Sequence, residues 1–209
     1  MRNLIIIMSI GFALYSLTAY GKEETRQMMG NKDMMMKSGS MKEQHTIMEH
    51  TSMMETETIE AKAQLRNNKG IEIGNVMFTQ KDNGVEINVE VNNMPQGVYA
   101  FHIHENGLCD TPDYKSCGGH FNPFGKKHGF LNQEGPHAGD LPNIEVNSNG
   151  KGYMRVMTSR MTLRKGEMNS LFKEGGTAVI LHQGPDDYIS DPAGHGGARI
   201  ACGIIEEMN

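Results

Sequence analysis

The side chains best suited to chemistry in this chain are six histidines and one aspartate, spaced between positions 102 and 182. They are His102, His104, His120, His128, His137, Asp140 and His182. Imidazole nitrogens bind zinc and copper, and a carboxylate combined with imidazoles is a reasonable zinc set. His102 and His104 alone would be weak evidence, because a His-x-His pair on a strand is more often two surface or packed imidazoles. Four more ligands within 21 residues of a Gly- and Pro-rich loop, from His120 to Asp140, favour a metal centre.

The elements that must position these side chains are predicted to be strands. Apolar and polar residues alternate over 71–78 and 85–91, and the turn sequence Lys-Asp-Asn-Gly at 81–84 joins them into a hairpin. Residues 97–104 and 176–182 also have strand patterns, so both histidines of the His-x-His pair would point to one face. With 25 Gly and no Trp, the composition suits many turns and short strands. The sequence predicts an all-β Greek-key sandwich or barrel.

Two long segments between the predicted strands lack any clear period. Residues from about 105 to 140, and again from 183 to 197, are rich in Gly, Pro, Asn and Asp. Long ordered loops inside a compact domain are usually functional. The candidate ligands lie on these loops and on the strand ends that lead into them.

The N-terminus predicts a secretory signal peptide at residues 1–21. Arg2 is followed by an apolar run over 4–17, and Ala19 and Gly21 supply the small residues that a signal peptidase requires. A membrane anchor is the alternative, but the run is shorter than the roughly 20 apolar residues that a bilayer needs. We therefore expect a periplasmic or secreted protein with no membrane span after cleavage, in which a disulfide is permissible.

Residues 22–58 predict a disordered tail of unusual composition, followed by one domain at 59–209. The tail has almost no β-branched or aromatic pattern, yet it holds nine of the 18 methionines together with His45 and His50. Thioethers favour Cu(I) and imidazole suits Cu(II), so one hypothesis is that the tail collects copper for the domain behind it. The other interpretation is a solvated linker whose methionines scavenge oxidants.

The net charge of -5 and the absence of a long Lys/Arg run argue against nucleic-acid binding through phosphates. We expect no nucleic-acid partner.

From about residue 59 to the C-terminus, the sequence resembles the copper/zinc superoxide dismutases. The matching motifs occur in the family's order: FHIHE at 101–105, GHFNP at 119–123, KHG at 127–129, GPHAGDL at 135–141, ILH at 180–182 and GARIACG at 197–203. The intervals of 8, 9 and 3 residues that separate His120, His128, His137 and Asp140 equal those of the family's zinc loop. The resemblance implies an eight-stranded antiparallel Greek-key barrel with two functional loops.

The resemblance also implies a division of the ligands between two ions. Copper would be bound by His102, His104, His120 and His182, and zinc by His120, His128, His137 and Asp140. His120 would bridge them, since an imidazole that loses both protons can bind two ions, a state that two adjacent dications make accessible. The implied activity is dismutation of superoxide to oxygen and hydrogen peroxide by copper that is alternately reduced and oxidised. His120 would release copper and take up a proton, while zinc would hold the geometry.

Two further residues match functional positions of the family. Arg199 stands where the family has the arginine that attracts and orients superoxide beside copper. Asp186, four residues after His182, matches the aspartate that accepts hydrogen bonds from one copper and one zinc histidine, here His102 and His128. Without the family spacing, Asp186 would be interpreted as a turn residue.

The three cysteines of an exported chain predict one disulfide and one leftover thiol. Cys202 matches the family's C-terminal half-cystine. Cys109, five residues after His104, stands where bacterial members place its partner, and Cys117 is the weaker candidate. The resemblance thus implies a Cys109–Cys202 bridge, with Cys117 either buried and inert or open to oxidation.

His195 departs from the family pattern, which is mostly Gly there. It could contact copper, act as a pH-sensitive charge near the path by which substrate reaches copper, or be an exposed residue without a role. The last interpretation is favoured. A homodimer and a monomer both fit the family. The alternative to an enzyme is a periplasmic copper-buffering or copper-delivery protein, but such relatives typically lack a copper ligand and this chain lacks none.

Overall fold

The computed structural model describes residues 58–208. The predicted signal peptide at 1–21 and all but the last residue of the predicted tail at 22–58 lie outside the described residues. The described part of the chain consists of strands, long loops and one single-turn 3-10 helix at Lys115–Cys117. Within it, no helix is both long enough and apolar enough to span a membrane.

The strands are β1 Glu60–Asn67, β2 Glu72–Lys81, β3 Gly84–Val91, β4 Gly97–Tyr99, β5 Phe101–His104, β6 Ile144–Val146, β7 Gly152–Thr158, β8 Ala178–His182, β9 Arg199–Ile204 and β10 Glu206–Glu207. Nine of them form one antiparallel sheet in the order β4-β6-β7-β3-β2-β1-β9-β8-β5, and the short β10 pairs with β1. The two end strands, β4 and β5, are consecutive in the chain, so the sheet closes into a barrel. The all-β antiparallel prediction is confirmed.

The ten observed strands reduce to the expected eight when two local features are considered. The predicted strand over 97–104 is interrupted at Ala100, whose N–H donates to the Gly184 carbonyl and whose carbonyl accepts from His182 N. These bonds replace part of the β4 and β5 ladders, so one extended segment counts as two strands. The two-residue β10 follows β9 in the chain and also pairs with β1, so it does not add a separate strand to the barrel.

The predicted hairpin is present as β2 and β3, with Lys81 opposite Gly84 at the turn. Its alternation follows burial: Val85, Ile87 and Val89 of β3 are fully buried, while the side chains between them are not. Burying each such side chain contributes roughly 1.5–3 kcal/mol, which is why a period-2 pattern selects this register.

β5 and β8 are buried on both faces, and this property creates the site. Phe101 and Ile103 of β5 pack into the barrel core, so the alternate residues of that strand point outward. His102 is paired with Ile180 and His104 with Ala178, and loops cover this outer face. The barrel therefore presents imidazoles on a surface that the loops seal from water.

The two predicted loops connect β5 to β6 and β8 to β9. The first is attached to β9 by the Cys109–Cys202 disulfide, whose Cα atoms lie 5.7 Å apart. The predicted pairing is confirmed. Because the bridge joins residues 93 apart in sequence, it anchors a loop that strand pairing alone would leave far from β9.

Candidate metal centre

The seven candidate ligands converge into two buried groups that share one imidazole. The first group is His102, His104, His120 and His182, and the second is His120, His128, His137 and Asp140. Within each group, the ligand atoms all lie within 4.8 Å of one another. Strands β5 and β8 supply three imidazoles of the first group, whereas the loop between β5 and β6 supplies every member of the second.

The first group leaves four ring nitrogens without hydrogen-bond partners among residues 58–208: His102 Nδ1, His104 Nε2, His120 Nε2 and His182 Nε2. An unsatisfied buried polar group costs about 1–3 kcal/mol, so four in one place require an explanation. The opposite nitrogens of three of these rings are held: His102 Nε2 by Asp186 at 2.8 Å, His104 Nδ1 by the Gly118 carbonyl at 3.1 Å, and His182 Nδ1 by the Gly197 carbonyl at 3.2 Å. The residues fit an ion bound by four imidazoles.

Burial keeps these imidazoles in the form that binds metal. It lowers the pKa of His102 to about 3 and that of His182 to about 4, and it lowers the pKa of His104 well below its usual value. A neutral imidazole has a lone pair to donate, whereas an imidazolium has none. The site is therefore prepared for a cation at neutral pH.

In the second group, Asp140 is the centre. Its Oδ1 lies 2.8 Å from His120 Nδ1 and 3.2 Å from both His128 Nδ1 and His137 Nδ1. Its Oδ2 accepts backbone hydrogen bonds of 2.9 Å from Gly129 N and His137 N. One oxygen is thus fixed by the loop backbone, and the other is directed at three imidazole nitrogens, as a ligand to a single ion would be.

Opposing effects set the charges of this group. Burial raises the pKa of Asp140, but hydrogen bonds from His120, His128, His137 and Gly129 outweigh burial and hold that pKa far below its usual range. Burial lowers the pKa of His128, and the two carboxylates of Asp140 and Asp186 outweigh burial and raise that pKa to about 9. A carboxylate surrounded by imidazoles is a donor set that zinc accepts.

His120 has one ring nitrogen in each group. Its Nδ1 is 2.8 Å from Asp140 Oδ1, and its Nε2 is the unpartnered atom among the other imidazoles. The His120 and His102 ring centroids are 4.1 Å apart. The geometry matches the bridging position that the resemblance implies for His120.

Asp186 contacts one histidine of each group, at the ring nitrogen that is directed away from the other ligands. Its Oδ2 lies 2.8 Å from His102 Nε2 and its Oδ1 lies 2.9 Å from His128 Nε2. These are the two histidines that the resemblance assigns to it. The contacts hold Nε2 of both rings, so that Nδ1 of each ring is directed toward its own group of ligands, with His128 Nδ1 3.2 Å from Asp140 Oδ1.

Arg199 begins β9 and is held beside the first group. Its Nη1 donates to the Tyr114 carbonyl at 2.8 Å, and its Nη2 donates to the Gly118 carbonyl at 2.8 Å. The Gly118 carbonyl also holds His104. A permanently charged guanidinium is therefore fixed one carbonyl away from an imidazole of the first group.

Sequence reasoning missed two residues that position Asp186. Asn143 Oδ1 accepts from Asp186 N at 2.8 Å, and Asn143 Nδ2 donates to the Asp186 carbonyl at 3.0 Å. Gly194, with φ +60°, lies so close that a Cβ there would collide with Asp186 Oδ1 and stand 2.6 Å from His128 Nε2. Gly194 belongs to a glycine-rich segment that the sequence marks, but nothing in the sequence distinguishes Asn143.

Neither of the two residues of open interpretation belongs to either group of ligands, although Cys117 Sγ accepts a hydrogen bond of 3.3 Å from Arg199 Nη1. His195 is exposed, and its Nδ1 lies 3.1 Å from Asp187 Oδ2. Cys117 is a free, buried thiol that packs with Cys202, and burial raises its pKa to about 11. Of the alternatives for Cys117, the buried and inert thiol agrees with this environment.

Comparisons with known proteins agree with this arrangement. The sequence model of the family described as copper/zinc superoxide dismutase (SODC) matches residues 72–205. Superoxide dismutase [Cu-Zn] 1 of Aquifex aeolicus is 56% identical over 145 residues, covering 69% of this chain and 86% of the relative. Superoxide dismutase [Cu-Zn] 2 of the same organism is 52% identical over 151 residues, covering 72% of this chain and 88% of the relative.

Among solved structures, a double mutant of a SOD-like protein from Bacillus subtilis superimposes with a TM-score of 0.66 at 43% identity. The match covers 68% of this chain and 95% of that protein. The barrel, the two groups of ligands and these similarities lead to one conclusion: the chain belongs to the copper/zinc superoxide dismutase family.

Proposed function

We propose that this protein dismutes superoxide, converting two superoxide anions and two protons into oxygen and hydrogen peroxide. The observation that carries the proposal is a set of four buried imidazole nitrogens that converge beside Arg199 and have no hydrogen-bond partner in the described part of the chain. His102, His104, His120 and His182 would hold copper, and His120, His128, His137 and Asp140 would hold zinc. Bound copper would supply one-electron redox chemistry, and zinc would add none.

The protein's own residues have separate roles in this reaction. Arg199 attracts the anionic substrate and orients it, because its guanidinium is permanently charged and its direction is fixed by two carbonyls. His120 Nε2 is the atom at which a proton can be held and released, since its Nδ1 faces Asp140. Asp186 keeps His102 and His128 in the tautomers that the two ions require.

The test is turnover of superoxide by the full chain after loading with copper and zinc. We expect catalysis that falls as ionic strength rises, because salt screens the attraction between Arg199 and an anion. Arg199→Ala should weaken both the catalysis and its salt dependence while leaving copper bound. A fully loaded protein that turns over no superoxide would exclude the enzyme function.

We also propose that the protein works outside the cytoplasm, in the periplasm or after secretion. The apolar run at 4–17 with its small-residue cleavage site supports export, and the Cys109–Cys202 disulfide is a bond that an oxidising compartment preserves. Fractionation of cells that express the full chain should recover it without residues 1–21. Recovery of the uncleaved chain in the cytoplasm would contradict the proposal.

A copper-handling function for residues 22–58 is the second candidate, favoured by the nine methionines and two histidines of that segment. Deleting residues 22–57 from the chain separates the possibilities. If the segment delivers copper, the deletion lowers copper loading when copper is limiting and leaves the turnover of fully loaded protein intact. Equal loading of both forms at every copper concentration would leave the segment as a linker.

A further inference from the structure

Arg160 is a partly buried arginine that neither the motifs nor the ligand set identifies. It follows β7 directly, and its backbone is held at both polar groups. Arg160 N donates to Thr158 Oγ1 at 3.2 Å, and the Arg160 carbonyl accepts from Asn169 Nδ2 at 3.2 Å. The base of the side chain is therefore fixed to the end of the barrel.

The guanidinium of Arg160 reaches from the barrel to the loop that carries the zinc-type ligands. Its Nη2 donates to the carbonyl oxygen of Asp140 at 2.8 Å, and its central carbon lies 5.2 Å from the centre of the Phe130 ring. Its Nε is buried and has no hydrogen-bond partner within the described range 58–208. Placing a cation there costs desolvation energy, so a contact that persists at this cost is expected to have a role.

The contacts of Arg160 lead on to both loops. The Phe130 ring lies 5.5 Å from the Tyr188 ring, and Tyr188 Oη accepts from Asn143 N at 2.7 Å. Asn143 in turn holds the backbone of Asp186. Arg160 thus contacts the first loop directly and is connected to the second through Phe130 and Tyr188.

The hydrogen bond from Arg160 to the Asp140 carbonyl constrains the orientation of the Asp140 peptide group. Asp140 must present Oδ1 to three imidazoles while Oδ2 accepts from two backbone N–H groups, so its main chain can rotate very little. The Arg160 bond removes the remaining freedom at the carbonyl. We propose that Arg160 is a positioning residue for zinc, holding Asp140 in its ligating orientation; this rests on the proposed binding of zinc by Asp140.

The direction in which zinc affinity changes when Arg160 is replaced separates this positioning role from a purely electrostatic one. A guanidinium close to a dication repels it, so loss of the charge alone would tighten zinc binding. Loss of a positioning contact would weaken it, as loss of outer hydrogen-bond partners weakens metal sites by roughly 10- to 100-fold. The two explanations predict opposite results for the same substitution.

The test compares zinc affinity among the full chain and three variants. Arg160→Met keeps the apolar stem and removes the hydrogen bond, whereas Arg160→Lys keeps one donor that can reach the same carbonyl. Arg155→Met is the matched control, because Arg155 lies on β7 and, among residues 58–208, forms its side-chain hydrogen bonds with Glu86 alone. Zinc affinity is measured by competition with a chelator, and cobalt(II) in the zinc site reports ligand geometry through its visible spectrum.

We expect Arg160→Met to raise the zinc dissociation constant about 10-fold or more and to change the cobalt spectrum. Arg160→Lys should recover part of the affinity, and Arg155→Met should match the parent chain. Copper affinity of the first ligand group should stay unchanged in every variant. Unchanged or tighter zinc binding by Arg160→Met would overturn the inference.

Two other outcomes have distinct meanings. If the parent chain binds cobalt without the spectrum of a site containing Asp140, as judged against Asp140→Ala, the proposed zinc site itself fails. If Arg160→Met does not fold, Arg160→Lys decides: a folded Lys variant that binds zinc more weakly than the parent and more tightly than Asp140→Ala supports a positioning bond that one donor makes in part. A folded Lys variant with no recovery relative to Asp140→Ala would contradict it.

Discussion

The two halves of the metal centre are built in different ways, one on strands and the other on a loop. On the side proposed to bind copper, called the copper side, His102, His104 and His182 belong to β5 and β8, whose pairing also fixes their spacing. On the side proposed to bind zinc, called the zinc side, all four ligands lie in the loop after β5. His120 and Asp140 form single β-bridges with His104 and His102 of that strand, whereas His128 and His137 form none in the described structure.

This difference determines what each half depends on. The copper-side imidazoles are placed by the strand register, which the burial of the core enforces. Apart from those two β-bridges, the zinc-side ligands are placed by individual contacts: two backbone N–H groups on Asp140, the bridge from Asp186 to His128, and the proposed bond from Arg160. The spacing of the three strand-borne imidazoles should therefore survive changes in the loops that displace His128 and His137.

The largest expected effect is loss of a strand-borne ligand. His182→Ala should abolish stable copper binding and reduce turnover by more than the roughly 10- to 100-fold that loss of an outer partner costs, while zinc stays bound. His137→Ala should lose zinc and retain copper, since the imidazoles on β5 and β8 are held by Asp186 and by the Gly118 and Gly197 carbonyls and not by His137. Metal analysis and the electron paramagnetic resonance of copper in both variants check this.

The contrast fails if His137→Ala loses copper as completely as His182→Ala does. In that case the two halves would form one cooperative unit in spite of their different supports. Circular dichroism of each variant shows whether the barrel remains intact.

The same contrast explains what could be predicted from the sequence. The β2–β3 hairpin follows from period-2 patterns, because alternating burial is written directly into the residue types. The strands that carry the copper-side histidines are buried on both faces and are indicated instead by short, largely apolar runs. The ligand sets and the Cys109–Cys202 pair came from a resemblance over several motifs and not from local propensity. Spacing carries that information, whereas composition does not.

The residues that the sequence did not reveal act through contacts between segments distant in sequence. Asn143 holds Asp186, 43 positions away, and Arg160 holds Asp140, 20 positions away. Each is an ordinary polar residue in an ordinary turn or strand end, and its partner is decided only when the barrel brings the loops together. The sequence shows a glycine at position 194, but it does not show why a glycine is needed there. The structure gives the cause, because Asp186 occupies the space that a Cβ would take.

Removal of the disulfide should have the next largest effect, and it should fall on the loop side. Cys109→Ser with Cys202→Ser releases a loop of 93 residues, which lowers the free energy of unfolding by about 4–5 kcal/mol in the chain-entropy model. The freed loop also carries the Gly118 carbonyl that accepts from Arg199. Urea unfolding measures the loss of stability, and turnover at saturating copper and zinc measures the loosening of Arg199.

Cys117→Ala is the matched control for the disulfide variant, because it removes a buried cysteine that forms no bridge. It should reduce stability much less than the double substitution. If the double variant keeps the stability of the parent chain, the disulfide does not anchor the loop in the way proposed here.

A smaller and more local effect is expected at Gly194. Gly194→Ala would force Asp186 away from its hydrogen bond to His128, and zinc affinity should fall roughly 10-fold. Gly125→Ala is the control, since Gly125 has nearly the same φ of +59° but nothing within 4 Å of an added Cβ. Both substitutions incur the strain of a left-handed conformation, about 1–2 kcal/mol, so only the difference between them reports the contact with Asp186. Equal zinc affinities would contradict the assignment of Gly194.

The smallest effect is expected at His195, which shares the second loop with Asp186 but faces solvent. Its side chain is 83% exposed and contacts Asp187, and exposed ion pairs of this kind are screened by water and salt. His195→Ala should therefore change turnover and zinc affinity by less than about two-fold, whereas Asp186→Asn should reduce both markedly. Turnover assays from low to physiological salt distinguish the alternatives, because a histidine that contacted copper or guided the substrate would change the rate or its salt dependence. An effect of His195→Ala as large as that of Asp186→Asn would show that the second loop acts through its exposed side chains as well as through its buried contacts.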